Sequence, residues 1–264
     1  MRTQALLGLM AASVLARGAV ADTAPIGPGD PTWAIRSVLG YSKTGGNTDN
    51  SAGNVLFHAA HVMGDWKLLF GFDGLYGSTR GETTAQAWDA FLQGNYNITP
   101  RFYWYTGARY DDDRFSGFAY QAAVKTGVGY KFIDTDATKL SAQIGVGYRR
   151  LRPEIIVKDD IGGIISTTEQ PEESDAILDA GLAFEHDFNP STKLLALATV
   201  QSGKENTLTN ASVALQVKMT DRLALSAGYK LIDNSSPPPG SGRRDTLTTL
   251  GLVYELKNDK LPPE

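Results

Sequence analysis

Along most of the chain, apolar and polar residues alternate with a period of two. The clearest run is "FAYQAAVKTGVGYKF", residues 118–132, where Phe118, Tyr120, Ala122, Val124, Thr126, Val128, Tyr130 and Phe132 share one parity. Gln121, Lys125, Gly127, Gly129 and Lys131 share the other. Successive side chains of a β-strand point to opposite faces, so this pattern predicts a strand with one apolar face. Its aromatics sit at both ends with small aliphatic residues between. From Tyr120 to Tyr130 such a strand spans roughly 33 Å at about 3.3 Å per residue. Tilted by about 40°, it covers a height of about 25 Å, the apolar band of a membrane β-barrel between its two aromatic girdles. A strand of a soluble sandwich needs only about half that length.

The same alternation recurs in about twelve segments, an even number, as single-chain bacterial barrels require. It assigns Trp33, Tyr41, Trp66, Tyr76, Trp88, Tyr96, Trp104 and Tyr110 to a lipid-facing girdle. Phe118, Tyr120, Tyr130, Phe132, Tyr148, Tyr229 and Tyr254 join them. The connections alternate in length. "HVMGDW", "YNITPR", "IDTDAT", "DFNPST" and "KMTDR" are tight and carry turn residues, whereas "SKTGGNTDN", "GSTRGETT", "DDDRFSG", 151–174, "QSGKEN" and "DNSSPPPGSGRR" are mostly longer and more polar. Short turns belong on the periplasmic side and long loops outside, which predicts periplasmic termini for the barrel. Within 151–174, "EIIVKDDIGGIISTTE" reads either as a hairpin prolonging strands seven and eight above the membrane or as a mobile acidic loop. The predicted fold is one closed, antiparallel, up-and-down transmembrane β-barrel of about twelve strands over residues 32–256.

At the N-terminus, Arg2, the apolar stretch Ala5 to Ala16 and the small residues Ala19-Val20-Ala21 read as a signal peptide over 1–21. Residues 22–31 are then a periplasmic lead and 257–264 a C-terminal tail. Losing Arg2 and Arg17 takes the basic count from 25 to 23 against 29 acidic residues, and the formal charge from -4 to -6. That balance gives no basic stripe for nucleic acid. With no Cys, neither a disulfide nor a thiolate metal site is available. No window after the signal peptide is apolar enough for a spanning helix, so a membrane protein of this sequence has to close its strands into a barrel.

"LGYSKTGGNTDN" at 39–50 resembles the opening of the salt-induced outer-membrane protein family, domain of unknown function 481. "RYDDDRFSGFAYQAAVKTGVGYKFID" at 109–134, "LSAQIGVGYRR" at 140–150 and "NSSPPPGSGRRDTLTTLGLVYEL" at 234–256 are similar to later parts of the same family, in the same order. The resemblance implies a β-barrel in a Gram-negative outer membrane and a link to salt or envelope stress. It brings no catalytic or binding residues with it. Such barrels usually end on an aromatic residue that helps assembly; here the chain runs past Tyr254 and Leu256 into "KNDKLPPE".

The parity opposite the girdle predicts a lumen lined by Arg36, Lys67, Arg101, Arg109, Lys125, Lys131, Arg149, Lys218, Arg222 and Lys230. Asp73, Asp89, Asp175, Asp179, Glu185 and Asp245 face them. Charged rings suit a narrow passive pore, since they set ion preference. The same side chains, paired across the lumen, suit a filled barrel with a structural or surface role. Most basic positions fall on strands one, three, five, six and seven and acidic ones on strand eight, a polarised wall against which an anionic or zwitterionic solute can align. A membrane-embedded hydrolase is a third alternative, with His58, His61 or His186 as base, but no nucleophile is marked. His58 and His61 differ in parity, which puts one towards the lumen and the other at the lipid interface. "DDDR" at 111–114 reads as a solvated charge run ahead of a Ca²⁺ site, and Gly127, Gly129, Gly145 and Gly147 as close packing in the wall. The reading is of a monomeric, non-enzymatic barrel without cofactor or metal. Its expected partners are membrane lipid and the outer-membrane assembly machinery.

Overall fold

The computed structural model describes residues 32–44, 50–204, 206–239 and 242–257. Residues 1–31, read above as a signal peptide and lead, and the tail beyond 257 lie outside them. The described chain is all β, and its strands are long. They are β1 (Thr32–Thr44), β2 (Asn50–Met63), β3 (Trp66–Thr79), β4 (Glu82–Asn97), β5 (Phe102–Asp113) and β6 (Phe118–Asp134), then β7 (Thr138–Lys158), β8 (Ile164–Glu169) and β9 (Glu173–Asn189). The last four are β10 (Thr192–Ser202), β11 (Thr207–Lys218), β12 (Leu223–Asn234) and β13 (Arg244–Lys257). Each pairs antiparallel with its neighbour in sequence, except that β7 pairs with both β8 and β9, and β1 returns to pair with β13. Without β8 this is a closed barrel of twelve strands, which leaves no unpaired edge in the wall.

β8 settles the reading of 151–174. It pairs with the projecting end of β7, Glu154 to Lys158, while β9 pairs with Leu151 down to Thr138. The hairpin therefore prolongs the seventh and eighth barrel strands, β7 and β9, broken only at 170–172. Gly162, with φ +91°, makes its turn, a left-handed backbone that favours glycine. At the same end of the barrel, the expected long loop "GSTRGETT" is instead a two-residue turn, Arg80-Gly81, both with positive φ, the hairpin geometry that matches strand twist. The two ends differ less in loop length than in how far their hairpins project.

The exterior carries the predicted belts. Fourteen of the fifteen girdle aromatics face outward, and between them runs a continuous apolar surface that includes Leu39, Phe70, Leu92, Ile144, Leu178 and Leu252. Soluble monomers expose apolar patches of only a few hundred Å², so this band is one to be covered by lipid. Around β3 to β6 the rings of Phe72, Trp88, Tyr110 and Tyr120 follow one another at centroid separations of 6.2, 5.2 and 5.9 Å.

Phe118 is the exception, only 4% exposed. A bulge between Phe118 and Tyr120 puts Phe118 opposite Pro153 and Tyr120 opposite Arg152, so the intervening residue is unmatched. One extra residue reverses the facing of everything beyond it. Phe118 consequently turns in under the projecting hairpin.

Candidate functional site in the barrel lumen

The inward parity is correct for most of the charged positions. Arg36, Asp73, Arg149, Asp179, Glu185 and Lys230 are buried, and Lys67, Asp89, Arg109, Lys125, Lys131 and Asp175 are half-buried. Three assignments are corrected. Arg101 and Arg222 lie in short turns, exposed, and Lys218 is exposed at the end of β11. These residues sit where the ladder stops, so they edge the barrel rim instead of lining its wall. Asp245 has inward parity, opposite Ile232, but lies exposed at the other rim.

Inside, the charges pair in layers. Asp179, 1% exposed, accepts from Lys125 at 2.9 and 3.0 Å, from the Tyr105 hydroxyl at 3.0 Å and from Gln201 at 3.3 Å. A buried carboxylate is tolerated when several donors satisfy it. Arg149 donates to Asp175 at 3.1 Å and to the Asn206 carbonyl at 3.0 Å. Arg109 bridges Asp89, at 3.0 Å, and Asp111, while Lys193 holds Glu185 at 2.5 Å. Arg36 donates to Gln216 at 3.2 Å.

The histidines separate as parity predicts. His58 is buried in the lumen, 2.9 Å from Asp73 and edge-on to Phe91. His61 stacks on Trp33 at 4.0 Å on the outer face. His186 pairs with the Thr138 hydroxyl at 2.8 Å among Phe184 and Phe188.

Several lumen residues escaped the reading by charge. Tyr103 and Tyr105 point inward on either side of the outward Trp104, and both are buried. Their signal lay in the glycines. A Cβ on Gly129 would sit 2.1 Å from the Tyr103 ring, and one on Gly145 2.5 Å from the Tyr105 hydroxyl. Glycine here makes room for a tyrosine from the neighbouring wall.

One side of the inner wall is apolar and buried. Val38, Leu56, Leu195, Ala214, Ala224 and Val253 form one dry cluster, drawn from β1, β2 and β10 to β13. In the strand order β2-β1-β13-β12-β11-β10 these six side chains form a continuous apolar band along one side of the inner wall. The other side, bounded by β3 to β7, β9 and β10, encloses a cavity of about 220 Å³ reaching from the short-turn end past Lys67, Asn95, Lys131 and Lys139 to Arg109 and Gln201. Beyond it lies a second void of about 20 Å³, lined by Arg149, Gln121 and Asn210 among others. Arg109, Ala123, Thr199 and Gln201 line both voids and so stand between them. The smaller one has room for about one or two waters.

The β7–β8 hairpin leans over the opposite mouth. Lys158 donates to the Phe115 carbonyl at 3.2 Å and lies 5.5 Å over its ring. A Cβ on Gly162 would be 3.8 Å from Thr84, three strands away on β4. Leu151, Ile156 and Phe118 are buried where the hairpin departs. Two carboxyl groups beyond the outer girdle lie at its base. Burial raises Asp113 above the usual carboxylate range, with Asp245 and Asp111 adding to the rise and the Phe115 N–H and Lys158 opposing it. Burial likewise raises Glu154, helped by Glu169 and Asp112 and opposed by Arg114.

The family described as "Protein of unknown function, DUF481" matches residues 38–256. Uncharacterized protein YdiY of Escherichia coli (strain K12) is 23% identical over 221 residues, covering 82% of this chain and 81% of its own. Among solved structures, the translocator domain of autotransporter NalP from Neisseria meningitidis is similar with a TM-score of 0.42 at 14% identity, covering 85% and 87% of the two chains. The Pseudomonas putida toluene transporter TodX gives 0.37 at 11% identity, covering 93% and 94%.

Proposed function

We propose that this chain, which belongs to the DUF481 family of proteins of unknown function, is an integral outer-membrane barrel with a narrow passive path for ions and small solutes. The observation that supports the path is the pair of adjacent cavities that share Arg109, Ala123, Thr199 and Gln201 as lining, the neck of the proposed path. Charged and amide side chains around such a neck hold water and set ion preference. A closed ladder with an apolar, aromatic-edged exterior is how a strand protein satisfies its backbone in lipid, which supports the membrane placement. By the usual asymmetry of such barrels, the short turns and both ends of the wall, at Thr32 and Lys257, face the periplasm. In this reading the barrel acts as a monomer without enzymatic turnover, surrounded by lipid and inserted by the outer-membrane assembly machinery.

Liposome swelling tests the path. Vesicles carrying the refolded protein should swell in small neutral sugars and fail to swell as the sugar outgrows the neck. No flux of any solute through a demonstrably folded barrel would refute it. That outcome is the one expected of a second reading, a closed barrel acting through its surface, which the dry Leu195 cluster and the overhanging hairpin favour.

A further inference from the structure

We infer that the cavity at the short-turn end is a binding site for small anions, namely solutes bearing a carboxylate or phosphate. The inference deepens the pore reading and rests on it for its purpose, which is to select what enters the neck. Its basis is where the charges stand relative to the cavity. Lys67 on β3, Lys131 on β6 and Lys139 on β7 line its short-turn half, and Lys125 and Arg109 line its inner end. Among the described residues the same lining contains one carboxylate, Glu185.

The two buried acidic residues of β9, Glu185 and Asp179, are taken up within the wall. Glu185 is held by Lys193 at 2.5 Å. Asp179 is enclosed by Lys125, Tyr105 and Gln201 and is not among the lining residues. Arg109 and Lys125 are thereby partly balanced from behind, and Lys131 has Asp134 4.0 Å away at the rim. The described lining thus brings ammonium groups from three strands to the short-turn half of the cavity, with the Asp134 carboxylate beside them at the rim. Low-dielectric walls lined mainly by one sign of charge concentrate the opposite ion. The side-chain amides of Gln93, Asn95 and Gln143 lie on the same surface and can donate N–H groups to an oxyanion. A volume of about 220 Å³ takes a phosphate-sized ion together with several waters.

The test is calorimetric titration of inorganic phosphate into the refolded full chain in detergent micelles. Saturable binding is expected, weakened at least tenfold in a Lys67→Gln/Lys139→Gln double variant and kept in Lys67→Arg/Lys139→Arg. Lys204→Gln, in the exposed loop before β11, should bind as the unaltered protein does. If the double variant does not fold, Lys139→Gln alone should still weaken binding several-fold. Absence of saturable binding to the folded protein, or equal binding by the glutamine variants and the Lys204 control, would overturn the inference. Phosphate binding by a barrel that passes no current would leave the site standing and remove the pore. Ion flux without phosphate binding would do the reverse.

Discussion

Three apolar side chains with similar accessibility should respond very differently to arginine, because only two of them face lipid. Val124 on β6 is 57% exposed, Leu250 on β13 75% and Ile165 on β8 67%. At about 3.3 Å per residue and a tilt of about 40°, each strand residue adds about 2.5 Å of height. Val124, four residues from Tyr120 and six from Tyr130, therefore lies within about 3 Å of the middle of the band. Leu250, four residues from Tyr254 and opposite Ala227, is also well inside it. Ile165 belongs to the projecting hairpin, beyond the girdle. Arginine at the midplane of a β-barrel costs about 2–4 kcal/mol, so Val124→Arg should lower the folded-to-unfolded ratio roughly 30- to 700-fold. Leu250→Arg should behave similarly. Ile165→Arg, in water, should stay within about 0.5 kcal/mol. Reversible urea unfolding from phospholipid vesicles, followed by tryptophan fluorescence, measures all three. Equal costs at the three positions would refute the assignment of the exterior band to lipid.

Further outcomes follow from the interior. Leu195→Ala should cost roughly 2–5 kcal/mol in the same assay, because it removes a fully buried side chain from the inner apolar cluster. A cost under about 1 kcal/mol would show that the cluster collapses freely. Lys125→Met should cost about 3–5 kcal/mol by leaving Asp179 buried without its cation, and Lys125→Met/Asp179→Leu should recover most of it; a double-mutant cycle reads the difference. The hairpin should respond to pH. Asp113 and Glu154 have raised folded-state values, so their protonated forms favour the seated hairpin. That stabilisation is complete below their unfolded values of about 4 and is lost as pH rises through the folded ones. Flux should therefore fall on acidification, and Asp113→Asn/Glu154→Gln should flatten the response; an unchanged pH profile in that variant would contradict the assignment.

Much of this architecture was legible because a barrel wall touches two solvents and its side chains record which one they face. The period of two gave the strands, the girdle and the inward set that includes Lys125, Arg149 and Asp179. Reading failed where that period is locally broken or ends. The bulge beside Phe118 is a backbone event with no side-chain signature, and it reverses parity. Arg101 and Arg222 follow the alternation formally but sit in turns, where parity has no meaning. Pairing across the lumen was out of reach for a different reason. Lys125 and Asp179 are 54 positions apart, and only barrel closure and stagger decide which inward residues meet. The division of the inner wall into an apolar side and a cavity-lining side depends on the same closure. Small inward residues such as Ala214 and Ala224 give no hint of it one at a time.

Single-channel current across a planar bilayer, with the refolded protein under a salt gradient, tests the central claim most directly. The account predicts small, steady unitary conductance that changes size or ion preference in Arg109→Gln and Gln201→Leu, the two larger side chains at the neck. A barrel that resists unfolding in the same lipid yet passes no unitary current at any voltage would contradict it.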